Sequence, residues 1–164
     1  MAQRDLTRLS RQLDEIDGWL AGGEDAVAQQ VPEVSGWSVA QQVDHLLMVV
    51  EKSVERLLSR PEPLSRGLTW TGRIVLGLGW FPRGSARAPK GFEGRQIACS
   101  ELVARLAALR DVLAELAAAS DVLERREPVV PHPYFGGLSA ARTLRNAVVH
   151  TEHHLAIVRD IRRA

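Results

Sequence analysis

A neutral imidazole offers a lone pair to a metal ion or a proton near physiological pH, and the sequence carries five: His45, His132, His150, His153 and His154. If the last of these segments is helical, His150 and His154 lie about 40° apart around the axis and about 6 Å along it, close enough for both rings to meet one divalent ion. Two histidines four apart also arise readily by chance, so the spacing suits a metal without demanding one. On the same helical wheel Thr143, Ala147, His150, Thr151, His154, Val158 and Ile161 share one face, while His153 falls beside Arg142, Val149 and Asp160. The wheel therefore predicts His154 inward and His153 at the surface.

A third ligand has to come from elsewhere, and His45 is the only other histidine on a predicted helix. The centre of that helix's apolar face runs through Val39, Val43, Leu46, Val50 and Leu57, with His45 to one side beside Val49 and Arg56. A surface histidine is the ordinary reading of this position and a cleft-lining ligand the sharper one; the wheel leaves both open. His132 stands between Pro131 and Pro133, where packing against Tyr134 and Phe135 competes with a role as fourth ligand or proton carrier.

Other side chains carry weaker signals. Asp44 and Glu152 adjoin the candidate ligands, but each projects about 100° away from its neighbour, which predicts solvated charges rather than general bases. Cys99 has no base nearby in the sequence and reads as a buried or half-buried thiol. Trp37, Trp70 and Trp80 flank a glycine-rich stretch and suit either a pocket wall or a core. Arg73, Arg83, Arg87 and Lys90 make that stretch locally basic, which fits a solvated loop or an anionic ligand.

The elements that must position these residues are helices. Leu6, Leu9, Leu13, Ile16 and Leu20 recur at helical steps until Gly22-Gly23, predicting a first helix over 3–21. Ser38 followed by Gln41 is a capping-box signature for a second helix over about 38–60. Residues 61–95 hold seven glycines (67, 72, 77, 79, 84, 91, 94) along with Pro82 and Pro89, and predict a long crossover in which only Trp70–Trp80 is apolar enough for one short helix. Leu102, Leu106, Leu109, Leu113 and Leu116 mark a third long helix from about 95 to 119, and Ser139 offers an N-cap for the last one. No stretch alternates strictly enough to predict a strand. The expected architecture is an all-α four-helix bundle with a long crossover between helices 2 and 3, as one domain over 1–164.

Composition agrees and narrows the partners. Apolar residues make up 45% and charged residues 25% of the chain, an ordinary globular balance. A formal charge of +1 is too small to predict nucleic-acid binding. The single cysteine excludes an intrachain disulfide and fits a reducing compartment. The N-terminus shows no leader-like apolar run, and the apolar stretches fall far short of the ~20 residues of a membrane span. A cytoplasmic protein without a membrane partner is expected.

Two stretches resemble the DinB/YfiT-like superfamily. Gly36-Trp37-Ser38-Val39-Ala40-Gln41-Gln42-Val43-Asp44-His45-Leu46 is similar to its second-helix motif, and His150-Thr151-Glu152-His153-His154-Leu155 to its last-helix motif. The stretch from His132 to Ser139 also resembles a loop that precedes the last helix in one subfamily. Together the similarity covers about residues 30–160. It implies a DinB-like four-helix bundle in which His45, His150 and His154 bind a divalent metal. The family motif often continues with a glutamine where this chain has Val158 on the inner face, which implies that a polar partner for the ligands is missing.

Superfamily members include metal-dependent transferases that use low-molecular-weight thiols, and an isomerase. The resemblance thus implies an enzyme that activates water or a thiol, with a small-molecule substrate such as a low-molecular-weight thiol. The other reading is a non-catalytic stress-associated or ligand-binding bundle with a structural metal or none. Zinc or nickel is the first expectation for the ion and iron or manganese the second, and a homodimer is admitted.

Overall fold

The computed structural model describes residues 2–81 and 88–164. Pro82, Arg83, Gly84 and Arg87, which enter the reading of the crossover, lie outside the described residues.

Four long amphipathic helices form because leucine and valine recur at three- and four-residue steps along each. They are α1 (Ala2–Leu20), α3 (Val39–Leu58), α5 (Cys99–Ala118) and α7 (Ala140–Ile161). Two short ones, α2 (Gly23–Ala28) and α4 (Trp70–Leu78), precede and follow α3, and α6 (Ser120–Leu123) follows α5. Helices α1 and α3 each pack on both α5 and α7, closing a four-membered ring around one core. Leu9, Leu13, Ile16, Val43, Leu46, Leu102, Ala147 and Val158 are fully buried there. Each such aliphatic larger than alanine gains about 1.5–3 kcal/mol from leaving water. The all-α bundle is therefore as expected, and no helix among the described residues is long and apolar enough to cross a membrane.

Helix α3 begins where the capping box predicts. The Ser38 hydroxyl accepts from the Gln41 N–H at 3.3 Å, and the Gln41 side chain accepts from the Ser38 N–H at 3.0 Å. Helix α5 begins at Cys99 rather than near Arg95, because residues 94–96 are drawn onto α3 by hydrogen bonds. Helix α2 was not expected after Gly22-Gly23; fully buried Val27 pins it to the core.

The crossover does hold the short helix. The Thr69 hydroxyl caps α4 by accepting from the Gly72 N–H, and Gly79 ends it in a left-handed turn with φ 71°. Glycine at 79 thus terminates the helix instead of weakening its interior.

One expectation fails. A two-stranded antiparallel hairpin, β1 (Val130–His132) with β2 (Gly136–Leu138), stands before α7. Three residues per strand are too few to show alternation. The pair is held by its own antiparallel ladder, and residues 66–67 lie close against β2: the Gly137 N–H donates to the Gly67 carbonyl at 3.1 Å, and a side chain at Gly137 would meet the Arg66 carbonyl at 2.1 Å. Leu76, Phe135 and Leu138 form a second, smaller buried cluster that joins this hairpin to α4.

Candidate metal centre

Helix α3 supplies His45 and helix α7 supplies His150 and His154, and the packing of α3 on α7 brings the three rings together. Their ring centroids are 4.6–4.9 Å apart. One nitrogen from each ring lies within 4.8 Å of the other two, and His45 Nε2 is 3.2 Å from His150 Nε2. His45 and His154 are buried and His150 is half-buried.

The nitrogens facing away from this centre are already committed. His45 Nδ1 donates to the Phe92 carbonyl at 2.5 Å. His154 Nδ1 donates to Gln42 Oε1 at 2.6 Å, and the same amide donates to Ser35 Oγ at 2.9 Å, which fixes its orientation. A carbonyl oxygen can only accept, so both Nδ1 atoms carry the hydrogen and both Nε2 atoms keep a lone pair. His150 Nδ1 is buried with no hydrogen-bond partner among the described residues.

This set fits a divalent ion. Two imidazole nitrogens that share one ion at about 2.0–2.1 Å with near-tetrahedral angles stand about 3.3 Å apart, close to the 3.2 Å found between His45 and His150. Burial, reinforced by the neighbouring histidines, pushes His150 and His154 well below the usual histidine range. Burial also lowers His45 against the opposing pull of the Phe92 carbonyl and Asp44. Neutral rings are the ones that can bind a metal.

Aromatic residues wall the centre. Trp37 stacks on His154 at 6.4 Å and meets His45 edge-on at 5.2 Å. Phe81 stands edge-on to His150 at 6.0 Å and to His153 at 6.1 Å. His153, expected at the surface, is instead half-buried against Phe81 and His154, and it is not part of the three-nitrogen group.

The remaining candidates divide. His132 packs on Phe135 with rings 4.2 Å apart, and its Nδ1 accepts from the Tyr134 and Phe135 N–H groups, so packing and loop closure describe it. Burial pushes its pKa down to about 4. Cys99 is buried, its thiol donates to the Leu20 carbonyl, and burial raises its pKa. Trp70 and Trp80 belong to neither pocket nor core: they are 80% and 61% exposed. Arg73 and Lys90 are exposed.

Asp44 corrects the expectation of a solvated charge. It is fully buried, accepting from the Arg95 backbone N–H at 2.7 Å, from the Arg95 guanidinium at 3.0 Å and from Arg105. Burial raises its pKa, but these bonds outweigh that and hold the carboxyl below the usual range. Both arginines lie more than fifty positions along the chain, out of reach of a helical wheel. Glu152 is partly exposed and engaged by Arg159 and Gln12. Gln42 was also missed. Val158 is apolar and buried as expected, yet the polar partner missing there is supplied from α3. The available signal was a glutamine one residue before Val43 on a largely buried stretch of helix.

A cleft of about 870 Å³ opens between Ala2, Ala117, Ser120, Arg126 and Ala141, and none of its lining residues is one of the three histidines. No curated protein and no solved structure matches the chain significantly. The sequence profile of the DinB superfamily, however, matches residues 8–158, which include both histidine-bearing helices and nearly the whole bundle. On that match the chain belongs to the DinB superfamily.

Proposed function

We propose that the chain is a divalent-metal-dependent enzyme whose ligands are His45, His150 and His154, acting on a small-molecule substrate by activating water or a small thiol. The observation that carries this reading is the outer hydrogen bonding of the rings. The Phe92 carbonyl and Gln42 engage the Nδ1 atoms of His45 and His154 and leave both Nε2 lone pairs free, His45 Nε2 lies 3.2 Å from His150 Nε2, and the superfamily is one associated with metal. A divalent ion held by these residues would supply a Lewis acid that lowers the pKa of water or a thiol.

The chain's own residues do the rest. Phe92 and Gln42 fix ring orientation, while Trp37 and Phe81 shield the centre from bulk water on two sides. Among the described residues no carboxylate belongs to the three-nitrogen group, so the three ligands themselves add no negative charge to offset the ion. Zinc or nickel suits three imidazoles, with iron or manganese next. The proposal takes residues 1–164 as one domain working in the cytoplasm, of thiol S-transferase or hydrolase type.

The test compares metal-replete wild type with His154→Ala on a panel of small thiols with electrophiles, and separately on esters and amides. Wild type is expected to turn over at least one pair at least tenfold faster. Equal rates across both panels would replace this reading with the non-catalytic bundle.

A further inference from the structure

We propose that the outer face of α4 is a docking surface for an anionic lipid bilayer, on which the protein lies without spanning it. Trp70, Ile74 and Leu78 recur every four residues, an arc of about 80° on the helix, and they are 80%, 57% and 73% exposed. Trp80 continues the patch just past the Gly79 cap at 61% exposure, and Tyr134 is 53% exposed on the hairpin whose 134 carbonyl receives the Thr69 hydroxyl. The opposite face of the same helix, Gly72 and Leu76, is the one buried against the protein. Five large apolar or amphipathic side chains thus point away from the bundle. Tryptophan, tyrosine and aliphatic residues on one side of a short helix are what the headgroup boundary accepts.

Charge selects the occupant. Residues 63–92 contain Arg66, Arg73, Arg83, Arg87 and Lys90 and not one aspartate or glutamate, in a chain whose total is only +1. Arg66, Arg73 and Lys90 are exposed, and the Arg73 guanidinium lies 5.8 Å from the Trp70 ring centroid, beside the apolar arc rather than opposite it. A cation beside an apolar arc, in a stretch without acidic residues, matches a surface of anionic headgroups over acyl chains. A second copy is disfavoured on the same ground, since a two-fold contact through this face brings two copies of the Arg73 charge into one interface. The requirement differs from that of a spanning helix, which the described residues lack.

The experiment is flotation of the full chain with vesicles of phosphatidylcholine alone and of phosphatidylcholine with phosphatidylglycerol, at low and high salt. Wild type is expected to float with the phosphatidylglycerol vesicles and to be released by salt. Trp70→Ser/Ile74→Ser/Leu78→Ser is expected to abolish flotation, and Arg73→Glu/Lys90→Glu to weaken it by about thirtyfold or more, both with unchanged helical circular dichroism. Absence of wild-type binding to anionic vesicles overturns the proposal, as does binding insensitive to salt and to both sets of substitutions. It is equally overturned if light scattering shows the apolar substitutions turning a dimer into a monomer while no vesicle binding is seen.

Discussion

The connection between α3 and α5 has two ends that differ in what they touch. At the trailing end, residues 92–96 are tied to the first turns of α3. His45 Nδ1 donates to the Phe92 carbonyl, the Gln41 amide to the Gly94 carbonyl at 3.3 Å, the Arg95 N–H to Asp44 at 2.7 Å, and the Ser38 hydroxyl to Gln96 at 2.5 Å. At the leading end, α4 is seated by one buried face and by bonds such as Arg145 Nε to the Leu76 carbonyl at 3.1 Å, and its other face is bare. Polar anchoring sets the angle of a side chain, here the His45 ring, whereas a single apolar seat only fixes which face of a helix is left over. The trailing end therefore belongs to the histidine centre, and the leading end is free to serve a partner.

The largest expected effect is at the trailing end. Asp44→Ala removes the acceptor of Arg95 and Arg105 and leaves partly buried Arg105 leaning on Glu51 alone. Losing one partner of a buried pair costs about 3–5 kcal/mol, and urea unfolding should show it. The same variant should bind metal more weakly, since the chain at Phe92 loses its anchor three residues on.

Gly94→Ala comes next. Its Cβ would lie 2.0 Å from the Gln41 carbonyl oxygen, so either the segment or α3 has to move. Forced overpacking of this kind costs about 1–3 kcal/mol, and thermal unfolding should report it together with a change at His45. Gly77→Ala at the leading end is the counterpart. Nothing lies within 4 Å of that added Cβ, inside α4. It should stabilise by up to about 1 kcal/mol through helix propensity; destabilisation there would erase the distinction between the two ends.

Proton linkage separates the hairpin behind the leading end. Burial lowers the folded pKa of His132 to about 4 from its ordinary 6.5, so the unfolded chain binds that proton more readily. Its contribution to stability is unchanged above 6.5 and is lost progressively as the pH falls from there toward 4. An NMR titration of the His132 ring should give a midpoint near 4; a midpoint in the ordinary range would mean that the ring is not buried on Phe135.

Local signals proved legible and distant ones did not. Leu9, Leu13 and Ile16 announce α1, Ser38 with Gln41 announces α3, and the wheel of α7 separates His154 from His153. For His45 the wheel leaves surface and cleft undecided, because the segment that covers it, at Phe92, is 47 positions away. Asp44 is misjudged for the same reason: a helical wheel shows a residue's own helix and not what a returning loop lays over it. The hairpin is hidden by brevity, and its glycines act through contacts with Arg66 and Gly67 that periodicity does not encode.

The most direct test of the histidine centre is elemental analysis of untagged protein, for wild type and for His45→Ala, His150→Ala, His154→Ala and His153→Ala. The account predicts one divalent ion per wild-type chain, loss of stoichiometric binding in the first three variants, and near-normal content in His153→Ala. A wild type without bound metal after reconstitution, or equal loss in His153→Ala, would contradict it.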